Sequence, residues 1–148
     1  MAQVHAVTDH HVQAPIGEVR AALADYTTVR PTILTEHYRD YRVLEGGIGD
    51  GTVVAWVLQA TNKRSRDVLA DVSVTADGDV TERDRNSTLV TTYRVTAHSD
   101  TLSHVRVETT WKGAGGVGGF FERTFAPKGL DRIHTAVLEK LDQRLRNG

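Results

Sequence analysis

The chain has 148 residues, 39% of them hydrophobic and 25% charged, with a formal net charge of −1. That length and balance fit one soluble globular domain over residues 1–148 with a core of its own, and give no overall field that would recruit nucleic acid or an anionic membrane. The chain has no cysteine, which excludes disulfides, thiolate metal sites and thiol nucleophiles together.

Met1 to Val12 carries His and Asp among its apolar residues and lacks an apolar h-region, so no secretory signal is expected there. The longest uninterrupted apolar run, Val53 to Leu58, is far too short to cross a bilayer. A cytoplasmic protein with no membrane insertion is the resulting expectation.

Gln3 to Val12 alternates as a strand, with Val4, Ala6, Thr8, His10 and Val12 on one face and His5, Val7, Asp9 and His11 on the other. Ala14-Pro15 opens a helix, with Pro15 suited to the first helical position and Glu18 favourable in the first turn. Ile16, Val19, Ala22, Leu23 and Tyr26 form its buried stripe. Asp25 to Thr28 breaks it, and a second short helix is predicted from Val29 to Thr35, its length limited by Pro31.

Extended character resumes from Tyr38 to Leu44 and ends in the turn-rich run Glu45-Gly46-Gly47-Ile48-Gly49-Asp50-Gly51. Thr52 to Thr61 is dense in β-branched residues and reads as a strand. After a turn at Asn62-Lys63-Arg64, Ser65 to Thr75 places Val68, Ala70, Val72 and Val74 on one face. Asp77-Gly78-Asp79 signals a hairpin, followed by Val80 to Asp84, the connection Arg85-Asn86-Ser87, and Thr88 to Ala97. Ser103 to Trp111 alternates cleanly, with Val105, Val107, Thr109 and Trp111 opposite His104, Arg106, Glu108 and Thr110. Seven strands are therefore predicted.

The run Gly113 to Gly119 interrupts the pattern and reads as a flexible gate; it lacks the trailing Lys-Ser/Thr of a phosphate loop and the spacing of a dinucleotide fingerprint. A final helix from Pro127 to Arg146 puts Leu130, Ile133, Val137, Leu138, Leu141 and Leu145 within an arc of about 140°, with His134 near its middle. An antiparallel meander has one apolar face that it cannot bury alone, and this helix is the long element left to cover it. The expected fold is α+β: a curved seven-stranded antiparallel sheet wrapped around a long C-terminal helix, with two short helices after the first strand. Such an arrangement tends to enclose a cavity, and cavities bind small apolar molecules.

The order resembles the helix-grip fold of the START and birch-pollen-allergen (SRPBCC) superfamily. Within it the chain is most similar to the small bacterial polyketide cyclase/dehydrase and lipid-transport group. The residues that carry the likeness are Val12-Gln13-Ala14-Pro15-Ile16 with Val19 and Asp25, then Glu45 to Thr52, and Pro127-Lys128-Gly129-Leu130. The resemblance implies a hydrophobic cavity between sheet and last helix. It also implies a lipid, quinone or aromatic polyketide as the class of ligand, catalysis in only a subset of relatives, and no cofactor. These motifs mark the scaffold and leave the chemistry open.

Strand alternation puts Trp56, Tyr93 and Trp111 on the inner face, as a ligand wall or as a filled core. With Phe121, His134 and Leu138 they are expected to line a pocket of roughly 300–1,000 Å³. His134, on the apolar helical stripe, either meets a ligand or is a satisfied core histidine. With Tyr93 it is also the candidate base and donor of a cyclase-type reaction. His10 shares the inner face of the first strand near its end and is a weaker ligand-contact candidate. His10 and His11 face opposite ways, no histidine pair has helical chelate spacing, and no metal site is expected. Glu82 and Asp84 share one face of a short strand beside Arg83 and Arg85 and read first as a solvated face, with an inward carboxylate orienting a hydroxylated ligand as the alternative. The basic run Lys63-Arg64-Ser65-Arg66 reads as a solvated turn, with a head-group contact as its alternative. No nucleophile elbow, triad or kinase signature occurs. The sequence thus points to binding of a hydrophobic or aromatic small molecule. A cyclase/dehydrase enzyme using the same cavity and a protein-interaction module with a filled core stand as alternatives, and the oligomeric state is open.

Overall fold

The computed structural model describes residues 3–61, 64–112 and 127–147. In chain order these form β1 (Gln3–Val12), α1 (Ile16–Ala24), α2 (Arg30–Ile33), β2 (Tyr38–Glu45), β3 (Val53–Thr61), β4 (Arg64–Val74), β5 (Val80–Asp84), β6 (Val90–Ala97), β7 (Ser103–Lys112) and α3 (Pro127–Asn147). The strands make one sheet in the order β1-β7-β6-β5-β4-β3-β2, every neighbouring pair antiparallel. Pairing of the first strand with the last leaves β1 and β2 as the two edges.

The alternation in sequence is the alternation in burial. In β7, Ser103, Val105, Val107, Thr109 and Trp111 are buried while the residues between them reach solvent. On α3, Leu130, Ile133, His134, Val137, Leu138 and Leu141 are buried, and the helix lies against β1 and α2. Polar ties hold it at both ends: Thr8 donates to Asp131 at 2.6 Å, the Gln13 amide to Asp142 at 2.7 Å, and Arg144 to Thr32 at 3.0 Å. The architecture is a helix-grip fold.

The local differences from expectation are small and physical. Pro15 is the N-cap of α1, in extended conformation, and its carbonyl takes the first helical amides, Glu18 at 3.0 Å and Val19 at 3.1 Å. α2 is only four residues long, with Pro31 in its first turn, where a missing N–H costs nothing, and Leu34 extended at its end. The glycine-rich turn after β2 folds back over the end of α1, the amide of Gly49 reaching the Ala24 carbonyl at 2.8 Å and that of Tyr26 the Gly47 carbonyl at 2.8 Å. At Gly47 (φ +138) an added Cβ would stand 2.3 Å from the Thr27 hydroxyl, so only glycine fits. That turn fixes where Tyr26 enters the interior.

The grip itself is testable by truncation. Leu141 is fully buried, so Leu141→Ala is expected to lower stability by about 2–5 kcal/mol. Lys140→Ala, on the exposed side of the same helix, should change it by less than about 0.5 kcal/mol. Urea denaturation of the two variants checks this; equal, small losses would mean that α3 does not close the core.

Candidate functional site

The interior holds a charged pair. Arg30 opens α2 and is 2% exposed; Glu82 sits on β5 and is 7% exposed. Arg30 Nη1 donates to Glu82 Oε2 at 3.2 Å, and Arg30 Nε to the Leu23 carbonyl at 3.0 Å. The Tyr26 hydroxyl donates to the same Glu82 oxygen at 2.6 Å. The guanidinium carbon lies 4.4 Å from the ring centres of both Tyr26 and Tyr93, within the range of a cation–π contact. Arg30 Nη2 and Trp56 Nε1 are buried and make no close hydrogen bond among the described residues, although the Tyr93 hydroxyl interacts with the guanidinium as a hydrogen-bonding neighbour.

Both residues line one cavity, with Tyr26, Leu34, Tyr38, Tyr41, Glu82 and Tyr93. Its volume is about 10 Å³, room for about one water. This is one cavity among the described residues; the expected pocket of roughly 300–1,000 Å³ includes Phe121, which lies outside them.

Two of those aromatics are aimed inward by a defect in pairing. Arg39 pairs with Val57 and Arg42 with Ala55, so β2 carries one residue more than β3 between these points. Asp40, in the bulge, has φ +54. Residues three apart on a regular strand face opposite ways; the extra residue turns both Tyr38 and Tyr41 toward Trp56. Their ring centres are 5.8 and 6.5 Å from that of Trp56, and the Tyr41 hydroxyl donates to the Tyr26 carbonyl.

Burial, with the Glu82 carboxylate adding to it and Arg30 opposing, raises the Tyr26 phenol well above its ordinary range and Tyr93 to about 12. Both are protonated donors at neutral pH. Burial works against the Arg30 charge but is outweighed by Tyr26, Tyr93 and Glu82, so the guanidinium is held charged. His134 is lowered to about 4 by burial and then by the positive charge of Arg30, with Asp131 pulling the other way. Its ring stands edge-on to Tyr93, centres 6.4 Å apart.

Of the residues singled out in the sequence, Trp56 and Tyr93 line the cavity and His134 lies beside Tyr93. Trp111 and Leu138 are buried in the core but are not among the lining residues. His10 is half-buried on β1 opposite Val105, away from the cavity. Phe121 and the glycine run lie outside the described residues. The solvated-face reading of Glu82 and Asp84 is corrected: β5 pairs Val72 with Glu82 and Ala70 with Asp84, which puts both carboxylates on the inner face. Each has partners there. Asp84 accepts from the Leu69 and Asn86 amides at 3.0 and 3.1 Å and from the Ser87 hydroxyl at 2.6 Å. Sequence reasoning missed Tyr26, Arg30, Leu34, Tyr38 and Tyr41 as site residues and set an inward Glu82 second to a solvated face; the strict alternation Val80, Glu82, Asp84 was the one available signal for it.

The family described as polyketide cyclase / dehydrase and lipid transport matches residues 3–146. The chain belongs to this family. Among solved structures it is 51% identical to the KanY protein, covering 99% of each chain with a TM-score of 0.88. It is 16% identical to the Zhui aromatase/cyclase from Streptomyces sp. R1128, over 97% of this chain and 96% of that one, TM-score 0.73. Its likeness to ginseng major latex-like protein 151 from Panax ginseng is 12%, over 96% and 97% of the chains, TM-score 0.73. The last two show the shared fold alone. A comparison with curated protein sequences gives no match. None of the described helices is long and apolar enough to cross a membrane.

The polyketide cyclase/dehydrase fold here carries a histidine whose titration is visible in stability. The unfolded chain binds a proton at a histidine near pH 6.5, the folded chain only near 4. Between these values the unfolded state holds more protons, so stability falls as pH drops through this window. The full difference is on the order of 3 kcal/mol at about 1.4 kcal/mol per pH unit. His134→Phe should therefore lose less stability than the parent between pH 7 and pH 4.5 in urea titrations. Identical losses would show that water reaches the ring.

Proposed function

We propose that the chain binds a flat, oxygen-bearing aromatic molecule, of the polyketide or quinone kind, in the cavity between the α1–α2 segment and the inner face of the sheet. The single observation that carries this reading is the buried Arg30 guanidinium, whose Nη2 makes no close hydrogen bond and which has the Tyr93 hydroxyl as its polar neighbour, in a cavity walled by four tyrosines and Trp56. A buried donor left unsatisfied costs about 1–3 kcal/mol, more when charged. A ligand oxygen placed there would recover that cost, and the aromatic walls suit a planar ring. Membership of a family whose description joins polyketide cyclisation with lipid transport supports the same class of ligand.

A ligand of this size needs the wall formed by Leu34, Tyr38 and Tyr41 to move. Tyr38 and Tyr41 lie on β2, an edge strand held on one side only and interrupted by a bulge, which makes this wall easier to displace than one on a central strand. The second reading, a cyclase or dehydrase, rests on the adjacent Tyr93 and His134. Tyr93 would donate to a developing enolate oxygen, and His134, neutral at pH 7, would accept the proton. A histidine lowered to about 4 is a weak base, and this favours binding over proton transfer.

Intrinsic tryptophan fluorescence tests the binding reading with 2-naphthol and naphthalene as probes. The parent protein should prefer 2-naphthol, and the preference should drop by about 10-fold or more in Arg30→Met/Glu82→Leu, which removes the donor without stranding a charge. A preference that survives in the double variant excludes Arg30 as the anchor. No response to either probe contradicts ligand binding at this site.

A further inference from the structure

Three histidines meet on the solvent face of the sheet, away from the interior cavity. His11 and His104 are direct partners across β1 and β7, and His98 follows the last residue of β6 at the hairpin that leads into β7. The ring of His11 is centred 5.2 Å from that of His98 and 5.6 Å from that of His104, with planes inclined at 65° and 60°. Two imidazoles on one tetrahedral ion, each nitrogen about 2.0–2.1 Å from the metal, have ring centres about 5 Å apart. The spacing is that of rings sharing an ion.

His104 also has the partner that a ligating histidine ordinarily has. Its Nε2 is 2.8 Å from Asp9 Oδ1, and Asp9 is itself gripped by Arg106, Nε at 2.9 Å and Nη2 at 3.4 Å. A carboxylate on one ring nitrogen sets the tautomer and leaves the other, Nδ1, with the lone pair that coordinates. The Arg106 charge is taken up by Asp9, so the group nearest the rings is an anion–cation pair and not a bare cation.

We propose that His11, His98 and His104 bind a divalent late first-row transition ion, Zn²⁺, Ni²⁺ or Cu²⁺, on the outer face of the sheet. Imidazole is the ligand these ions share. Among the described residues no three donors already converge on one point; the site closes by rotation of His11 and His98, which are exposed and free of core packing. Along the sequence His10 and His11 face opposite ways and no histidine pair has helical chelate spacing, which is why no metal is expected from local pattern. The register across β1 and β7 and the hairpin turn bring His11 together with two histidines far away in the chain. A bound ion would tie the edge strand β1 to β7 and to the β6–β7 hairpin.

The test is titration of the full-length, tag-free protein with Zn²⁺ alone, followed by calorimetry and by the histidine ring signals in NMR. Saturable binding of one ion is expected, with the ring signals of His11, His98 and His104 shifting and those of His5 and His37 unchanged. Asp9→Asn should weaken binding by about 10-fold, and His11→Ala or His98→Ala by more than that. Melting curves without metal show whether these surface variants remain folded, and the parent alone should gain thermal stability on adding Zn²⁺. Absence of saturable binding overturns the proposal, as does an affinity that His11→Ala and His98→Ala leave unchanged.

Discussion

A guanidinium and a carboxylate 3.2 Å apart, both shut away from water, are the contact around which the interior of this protein is arranged. Each ion costs several kcal/mol to desolvate, and the pair is tolerable only if its remaining valences are met. The Leu23 carbonyl, the Tyr26 hydroxyl and two aromatic faces meet part of them. These partners come from the end of α1, the second residue after it, and strand β6. Removing the pair would therefore release several elements at once. It also accounts for α2, whose four residues are far too few to be helical on their own: Arg30 anchors its first turn in the sheet, and Arg144 of α3 holds it from the other side through Thr32.

The same contact gives the interior its polarity. A cavity lined only by leucine and valine would accept any apolar guest, whereas the proposed ligand would meet one charged donor and several protonated phenols that favour an oxygen in a fixed position. The cavity is nearly filled, so selectivity and access are separate problems. In the proposed binding mode access would fall to β2, the edge strand whose bulge turns Tyr38 and Tyr41 inward. A bulge beside a site, re-aiming side chains at the cost of an irregular backbone at Asp40, is a common device.

The sheet and closing helix were legible because burial follows the two simple periods. β1 and β5 have the same bounds in sequence and structure, and α3 differs by one residue at its end. The site was only partly legible, for identifiable reasons. Trp56 and Tyr93 could be placed because they sit on regular strands. Glu82 and Asp84 were misread because charge on a strand normally signals solvent, and nothing local shows that Arg30, fifty residues earlier, waits inside. Tyr38 and Tyr41 could not be put on one face without the bulge, which depends on pairing with β3. Arg30 lies in a turn-like stretch beside Pro31 with no periodicity to mark it as buried. What the sequence hid is long-range pairing of polar groups, the part of folding that local patterns do not encode.

A double-mutant cycle on Arg30 and Glu82, read by urea denaturation, tests most directly whether this pair organises the interior. Arg30→Met and Glu82→Leu should each cost about 3–5 kcal/mol, since either one strands a buried charge, and the double variant should cost far less than their sum. Single variants that each lose under about 1 kcal/mol and combine additively would contradict the account, because both charges would then have to be reaching water.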